Sequence, residues 1–253
     1  MKKLLIFIYL AVNTMLLFSL QWPVEKRILK ASFGERRGDY YHTGIDIGGG
    51  EQQVVSVADG EVVYYQDGEN NSSVIPSGLG NFIILEHDRQ LRTTYAHLKN
   101  NSIIKDRDKF TAGEVLGLIG DSGAANGPHL HFEVIDRELN EIVNPLVLLP
   151  ALGDRTKPVI KDVFIKSSSG GEYQKLVNRS EIKAGKYDLS ALLFDTSEHV
   201  NYYCQIAPYK INIYINGEET AVIIYNSIRK NGNSLVMSSN LKSINDYYIS
   251  EDN

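Results

Sequence analysis

Between residues 24 and 150 the apolar positions come in short runs, each closed by glycine or another turn former. Residues 54–57, 61–65, 82–85, 91–95 and 115–119 are rich in β-branched and aromatic side chains, and each reads as a strand. Residues 108–111 read as a turn, which feeds the last of these strands through Ala112-Gly113. No long run of period 3.6 appears, so an amphipathic helix has nothing to build on. Residues 129–135 form a further predicted strand. Gly127 marks its turn, and Pro128 sits at its start, where a missing N–H does least harm. The pattern predicts an all-β domain over 22–150, with sheets flanking a groove.

The pattern restarts after Pro150-Ala151-Leu152-Gly153-Asp154, and Thr156-Lys157-Pro158 opens a second region. Residues 159–165, 189–194 and 210–216 alternate or run apolar, and Asn216-Gly217 is a hairpin turn signal. A small β-sandwich of the immunoglobulin-like kind is expected over 151–253. It is expected to be incomplete or to end in a loose tail, since Ile249-Ser250-Glu251-Asp252-Asn253 closes the chain soon after a strand-like segment. At the other end, Lys2 and Lys3 precede a largely apolar stretch, 4–20, interrupted at Asn13 and Thr14. Residues 1–21 are expected to be an export signal or, if uncleaved, an inner-membrane anchor. That places the protein in the periplasm or cell envelope.

Composition narrows the field. Of 253 residues 43% are hydrophobic, as in ordinary globular proteins, and the formal charge of −5 gives no support to a nucleic-acid partner. The single cysteine, Cys204, rules out an internal disulfide and a Leu-x-x-Cys lipid site, and it is expected to be buried and inert.

The chemistry lies in three short stretches. In Gly127-Pro128-His129-Leu130-His131-Phe132-Glu133-Val134, residues two apart on a strand share a face. His129 and His131 should therefore point to one side, with Leu130 and Phe132 on the other. In Tyr41-His42-Thr43-Gly44-Ile45-Asp46-Ile47, the glycines at 44 and 48–50 argue against a helix. A short extended segment, with Gly44 lending backbone freedom, would again put His42 and Asp46 on one face. Thr94-Tyr95-Ala96-His97-Leu98 lies between the two. Four of the six histidines and one aspartate could thus enter or line a single zinc site, since catalytic zinc takes three such protein ligands and a water.

These stretches resemble the lysostaphin-type (LytM-domain) zinc endopeptidases, which cut peptide bonds in peptidoglycan. The similarity runs in order over about 24–150. It begins at Ser32-Phe33-Gly34-Glu35-Arg36-Arg37 and passes through the His42 and Asp46 segment and Val57-Ala58-Asp59-Gly60-Glu61-Val62-Val63. It continues through Gly80-Asn81-Phe82-Ile83-Ile84-Leu85-Glu86-His87, the His97 segment and Gly113-Glu114-Val115-Leu116-Gly117-Leu118-Ile119-Gly120. It ends with the His129 block and Asn144-Pro145. The resemblance implies that His42, Asp46 and His131 bind zinc, and that His97 and His129 assist catalysis. None of the five is substituted. The stretch 67–78 looks longer than the family's usual loop.

An endopeptidase acting on peptidoglycan stems or cross-links is the leading expectation. The alternative is a LytM-like regulator that binds and activates a murein amidase without cutting. A cell-wall protein partner for the C-terminal domain fits either. A biotinyl-like carrier is disfavoured, because no lysine sits at a suitable hairpin tip. There is no His-Glu-x-x-His motif, so the acid–base work falls to His97 and His129. His87 and His199 read as structural or surface residues, and 120–127 as a loop lining the groove beside His129. Tyr95 is read as a substrate contact or a packing residue. Arg36 and Arg37 are read as partners for peptide carboxylates or as plain surface charge.

Overall fold

The computed structural model describes residues 20–68, 77–201, 204–232 and 234–238. Most of the export segment, most of the 67–78 stretch and the chain end lie outside the described residues. Among the described residues there is no α-helix, and none long and apolar enough to cross a membrane. The architecture is all-β, as the hydrophobic pattern predicts.

The strands of the first region are β1 (Leu29–Ala31), β2 (Arg36–Arg37), β3 (Tyr40–Tyr41), β4 (Ile45–Ile47), β5 (Gln53–Val55), β6 (Gly60–Gln66), β7 (Asn81–His87), β8 (Leu91–Leu98), β9 (Lys109–Phe110), β10 (Val115–Leu118), β11 (Leu130–Asp136) and β12 (Glu141–Val143). The second region supplies β13 (Val159–Ser167), β14 (Gln174–Leu176), β15 (Tyr187–Phe194), β16 (Lys210–Ile215), β17 (Glu218–Ile224), β18 (Ser227–Asn231) and β19 (Ser234–Met237).

The main sheet runs β19-β18-β12-β11-β8-β7-β6-β9 and is antiparallel throughout. Strand β11 is its hinge line. Along one edge it pairs with β8 from His131 to Asp136. Along the other it pairs first with β4, at Leu130 to Phe132, and then with β12, at Val134 to Asp136. Strand β1 adds to the far side of β4. This branching puts the two motif strands side by side, with His131 opposite Asp46 in register.

Alternation explains the split between core and site. Leu130, Phe132 and Val134 are fully buried with Ile45, Ile47, Ile83, Leu85 and Tyr95. The rings of Tyr95 and Phe132 lie 5.3 Å apart. Each such side chain contributes about 1.5–3 kcal/mol by leaving water. His131, between Leu130 and Phe132, is left facing the other way, into the groove.

The second region is β-rich as well. Strands β14-β13-β15 form a three-stranded sheet, and β16-β17 form a hairpin. At its turn Asn216 and Gly217 have φ of 55° and 86°, the paired left-handed conformation of a two-residue type I′ turn. Strands β18 and β19 leave this region and lengthen the main sheet, with Ile142 opposite Ile228. Asn144 ties the two regions: its backbone N–H donates to Asn226 O at 2.8 Å and its side-chain amide to Tyr225 O at 2.7 Å.

Candidate metal centre

The five predicted site residues converge on one groove of about 750 Å³. The tightest cluster is a triangle of donor atoms. His42 Nε2 lies 3.1 Å from Asp46 Oδ1 and 3.1 Å from His131 Nδ1, and His131 Nδ1 lies 3.0 Å from Asp46 Oδ1. Among the described residues this is the one cluster of three or more such donors close enough to share an ion.

Backbone carbonyls set the imidazoles. The Nδ1 of His42 is 2.8 Å from Ser32 O, that of His97 is 2.9 Å from Ser122 O, and that of His129 is 2.8 Å from Gly127 O. A carbonyl only accepts, so each Nδ1 carries the proton and each neutral ring presents Nε2 as a lone pair. Orientation of this kind is the usual partner of a metal-binding histidine. Sequence reasoning missed all three anchors, because any residue type can offer a carbonyl. The Ser122 anchor is itself fixed: Ser122 Oγ donates to Leu98 O at 2.8 Å and accepts from Asn81 N–H at 2.9 Å.

The donor set fits a divalent cation. Nε2 of His42, Nδ1 of His131 and Oδ1 of Asp46 stand about 3 Å apart, and with both ring nitrogens bare they are three acceptors that only a shared positive charge, a proton or a metal ion, holds together. A tetrahedral zinc with ligands at about 2.0–2.1 Å would want them roughly 3.3 Å apart, about 0.3 Å wider than these separations. Three protein donors leave a fourth position open, as in catalytic rather than structural zinc sites. Burial alone would raise the Asp46 carboxyl, but hydrogen bonds and charge from His131 and His42 outweigh it and hold the group far below the usual carboxylate range. Arg37 approaches its other oxygen, Oδ2, at 3.5 Å.

Gly44 has a different job from the one expected. Its φ is not positive; what matters is space. A Cβ there would stand 2.4 Å from Phe132 O and 2.9 Å from Cε1 of His131. Glycine lets the His42–Asp46 segment lie flat on β11, beneath the His131 ring.

His97 and His129 flank the triangle. Their rings are 4.8 Å apart, and His97 lies 5.9 Å from the His131 ring. His129 Nε2 is 3.7 Å from Asp46 Oδ1. Burial lowers both imidazoles, and that of His97, with the His129 charge adding, is pushed down to about 4. His97 reaches the groove by an irregular route. Regular alternation would put it on the face of Tyr95, which is core. A left-handed backbone at His97, with φ of 61°, breaks the alternation and turns the ring back.

Other candidates fall outside the centre. His87 is buried, with Nδ1 on Asp59 O and Nε2 on Thr93 Oγ1, a structural role. Tyr95 packs in the core, and its hydroxyl accepts from Val57 N–H. Ala124 and Asn126 of the 120–127 loop line the groove as predicted. Cys204 is half-buried at the rim of the same groove, beside Asn201.

Residues 40–145 match the sequence profile described as Peptidase family M23. The murein hydrolase activator NlpD of Escherichia coli strain K12 is 32% identical over 131 residues, which cover 51% of this chain and 31% of that protein. The DD-carboxypeptidase/endopeptidase Mpg of Neisseria meningitidis serogroup B is 32% identical over 110 residues, covering 43% and 23%. This chain therefore spans less than a third of the length of these curated relatives. Among solved structures, the catalytic domain of the prophage-encoded M23 protein EnpA of Enterococcus faecalis is 29% identical, with a TM-score of 0.39, covering 51% of this chain and 95% of that one.

Proposed function

We propose, from the premise that residues 40–145 are a Peptidase family M23 domain, that this chain is a zinc-dependent endopeptidase cutting stem or cross-link peptides of peptidoglycan. The observation that carries the reading is the intact donor triangle of His42, Asp46 and His131, flanked by two further imidazoles whose Nε2 atoms are lone pairs.

His42, Asp46 and His131 would hold the ion. When bound, zinc polarises a carbonyl oxygen and lowers the pKa of water. The chain's own groups do the rest. His97 and His129, neutral at physiological pH, can take a proton at Nε2 from the attacking water and return it to the leaving amine. Once protonated, either imidazolium favours the oxyanion of the tetrahedral intermediate. The carbonyls of Ser122 and Gly127 keep the two rings aimed while this happens. Arg37 steadies the Asp46 carboxylate from the second oxygen.

An exported protein of the periplasm or cell envelope suits this substrate, and the Lys2-Lys3 and apolar 4–20 pattern supports that address. A second reading is favoured by the name of one relative: like NlpD, this chain would activate a murein hydrolase rather than cut. Zinc-loaded protein incubated with purified sacculi separates the two. Released peptide fragments with new amino termini support the endopeptidase. Release only when an amidase is added supports the activator and overturns the first reading.

A further inference from the structure

The groove has a wall that arrives from the far end of the chain. Residues 199–201 run beside β1: Leu29 N–H donates to His199 O at 2.6 Å, and Asn201 N–H donates to Leu29 O at 2.8 Å. Val200 pairs in parallel with Leu29 and is buried, as is Ile206. Further on, Ala207 N–H donates to Ser32 Oγ at 2.9 Å. Between these anchor points Asn201 and Cys204 border the same groove as His42, Asp46 and His129.

Ser32 carries this contact to the ion-binding residues. Its carbonyl accepts from His42 Nδ1, and its N–H and hydroxyl both donate to Glu35 Oε1, at 2.6 and 2.8 Å. Glu35 Oε2 meets Arg37 at 3.3 Å, and Arg37 reaches Asp46 Oδ2. One line of hydrogen bonds and ion pairs therefore runs from Ala207 to two of the three donor residues. A contact that served packing alone would need only the buried Val200 and Ile206. It would not require a polar junction against the His42 anchor, nor an amide and a thiol at the rim.

We propose that residues 199–201 and 204–207 are a working part of the site: they wall the groove against which the substrate peptide lies, and through Ser32 they position His42. The first half rests on the endopeptidase reading; the second does not. Asn201 and Cys204 are uncharged, so they suit the backbone and small side chains of a wall peptide, while Lys30 and Arg37 of the same groove suit its carboxylates.

The chain has a single cysteine, so a thiol-linked fluorophore on the full-length protein reports from this wall alone. With Cu2+ in place of zinc, the fluorophore on Cys204 should be quenched, and the His42→Ala variant should not quench it. Absence of quenching in the metal-loaded parent protein would overturn the wall. Soluble muropeptides should slow labelling of Cys204, and a bulky adduct should weaken their binding while a methylthio adduct does not. Equal binding by the bulky adduct would overturn the substrate contact. Quenching in a protein that neither binds nor cuts muropeptides would support the wall and sink the murein reading. For the positioning half, Ser32→Ala should lower zinc affinity by about tenfold in chelator competition, the scale of an outer partner, and Ser32→Thr should restore it. Unchanged affinity in Ser32→Ala would overturn that half.

Discussion

Strands β7, β8 and β11 and strands β13 to β17 are all antiparallel, but they end in different surroundings. Most positions of the first three are buried, Ile83, Leu85, Tyr95, Phe132 and Val134 fully or almost so. No position of the other five is buried, and Ile160, Leu189 and Leu192 remain exposed. The buried apolar side chains of the second region, Val200, Ile206, Tyr225, Ile228, Val236 and Met237, fall outside those five strands. Several of them sit where the chain meets the first region, at β1, Asn144 and β12. Burial is thus concentrated where the site is built, and the second region contributes most where it touches that core.

Four changes probe this contrast. The largest effect belongs to the donor triangle: His42→Ala, Asp46→Ala or His131→Ala should abolish stoichiometric zinc, read by metal analysis, and with it cleavage of sacculi. Next, His97→Ala or His129→Ala should keep zinc bound and lower the cleavage rate by at least about a hundredfold. Loss of zinc from either variant would show that a ligand had been misassigned. Third, Phe132→Ala should cost about 3–5 kcal/mol in denaturant unfolding, whereas Leu189→Ala should stay within about 0.5 kcal/mol. Equal costs would erase the contrast between the regions.

The smallest effect is a pH slope. Burial holds His87 below its ordinary value, so in the acid range the unfolded chain takes up the proton before the folded one does. Stability should therefore fall as pH drops through the ordinary histidine range, and His87→Gln should flatten that slope. An unchanged slope would remove His87 from the account.

Much of the site was legible in the sequence, and the reason is geometric. A strand's period of two fixes the relation between His129 and His131, and the core side chains Leu130 and Phe132 confirm the phase. The same rule fails at His97, because a single left-handed residue resets it and no residue type announces that conformation here. Gly44 was legible as a special position but not its cause, since the crowding comes from Phe132 on another strand. The carbonyl anchors leave no trace in side-chain chemistry. The groove wall was illegible for a further reason: Ser32 and Ala207 meet across 175 positions of chain, and nothing local marks either one.

The pairing of β12 with β18 has a consequence for any shortened form of this protein. A polypeptide stopped at Pro150 would offer the ladder groups of Glu141–Val143 to solvent along a naked margin of the sheet. Such a margin recruits strands from neighbouring molecules. Fragments lacking the last hundred residues, which also lose Val200, Ile206, Tyr225, Ile228 and Met237 from the buried cluster, should therefore self-associate.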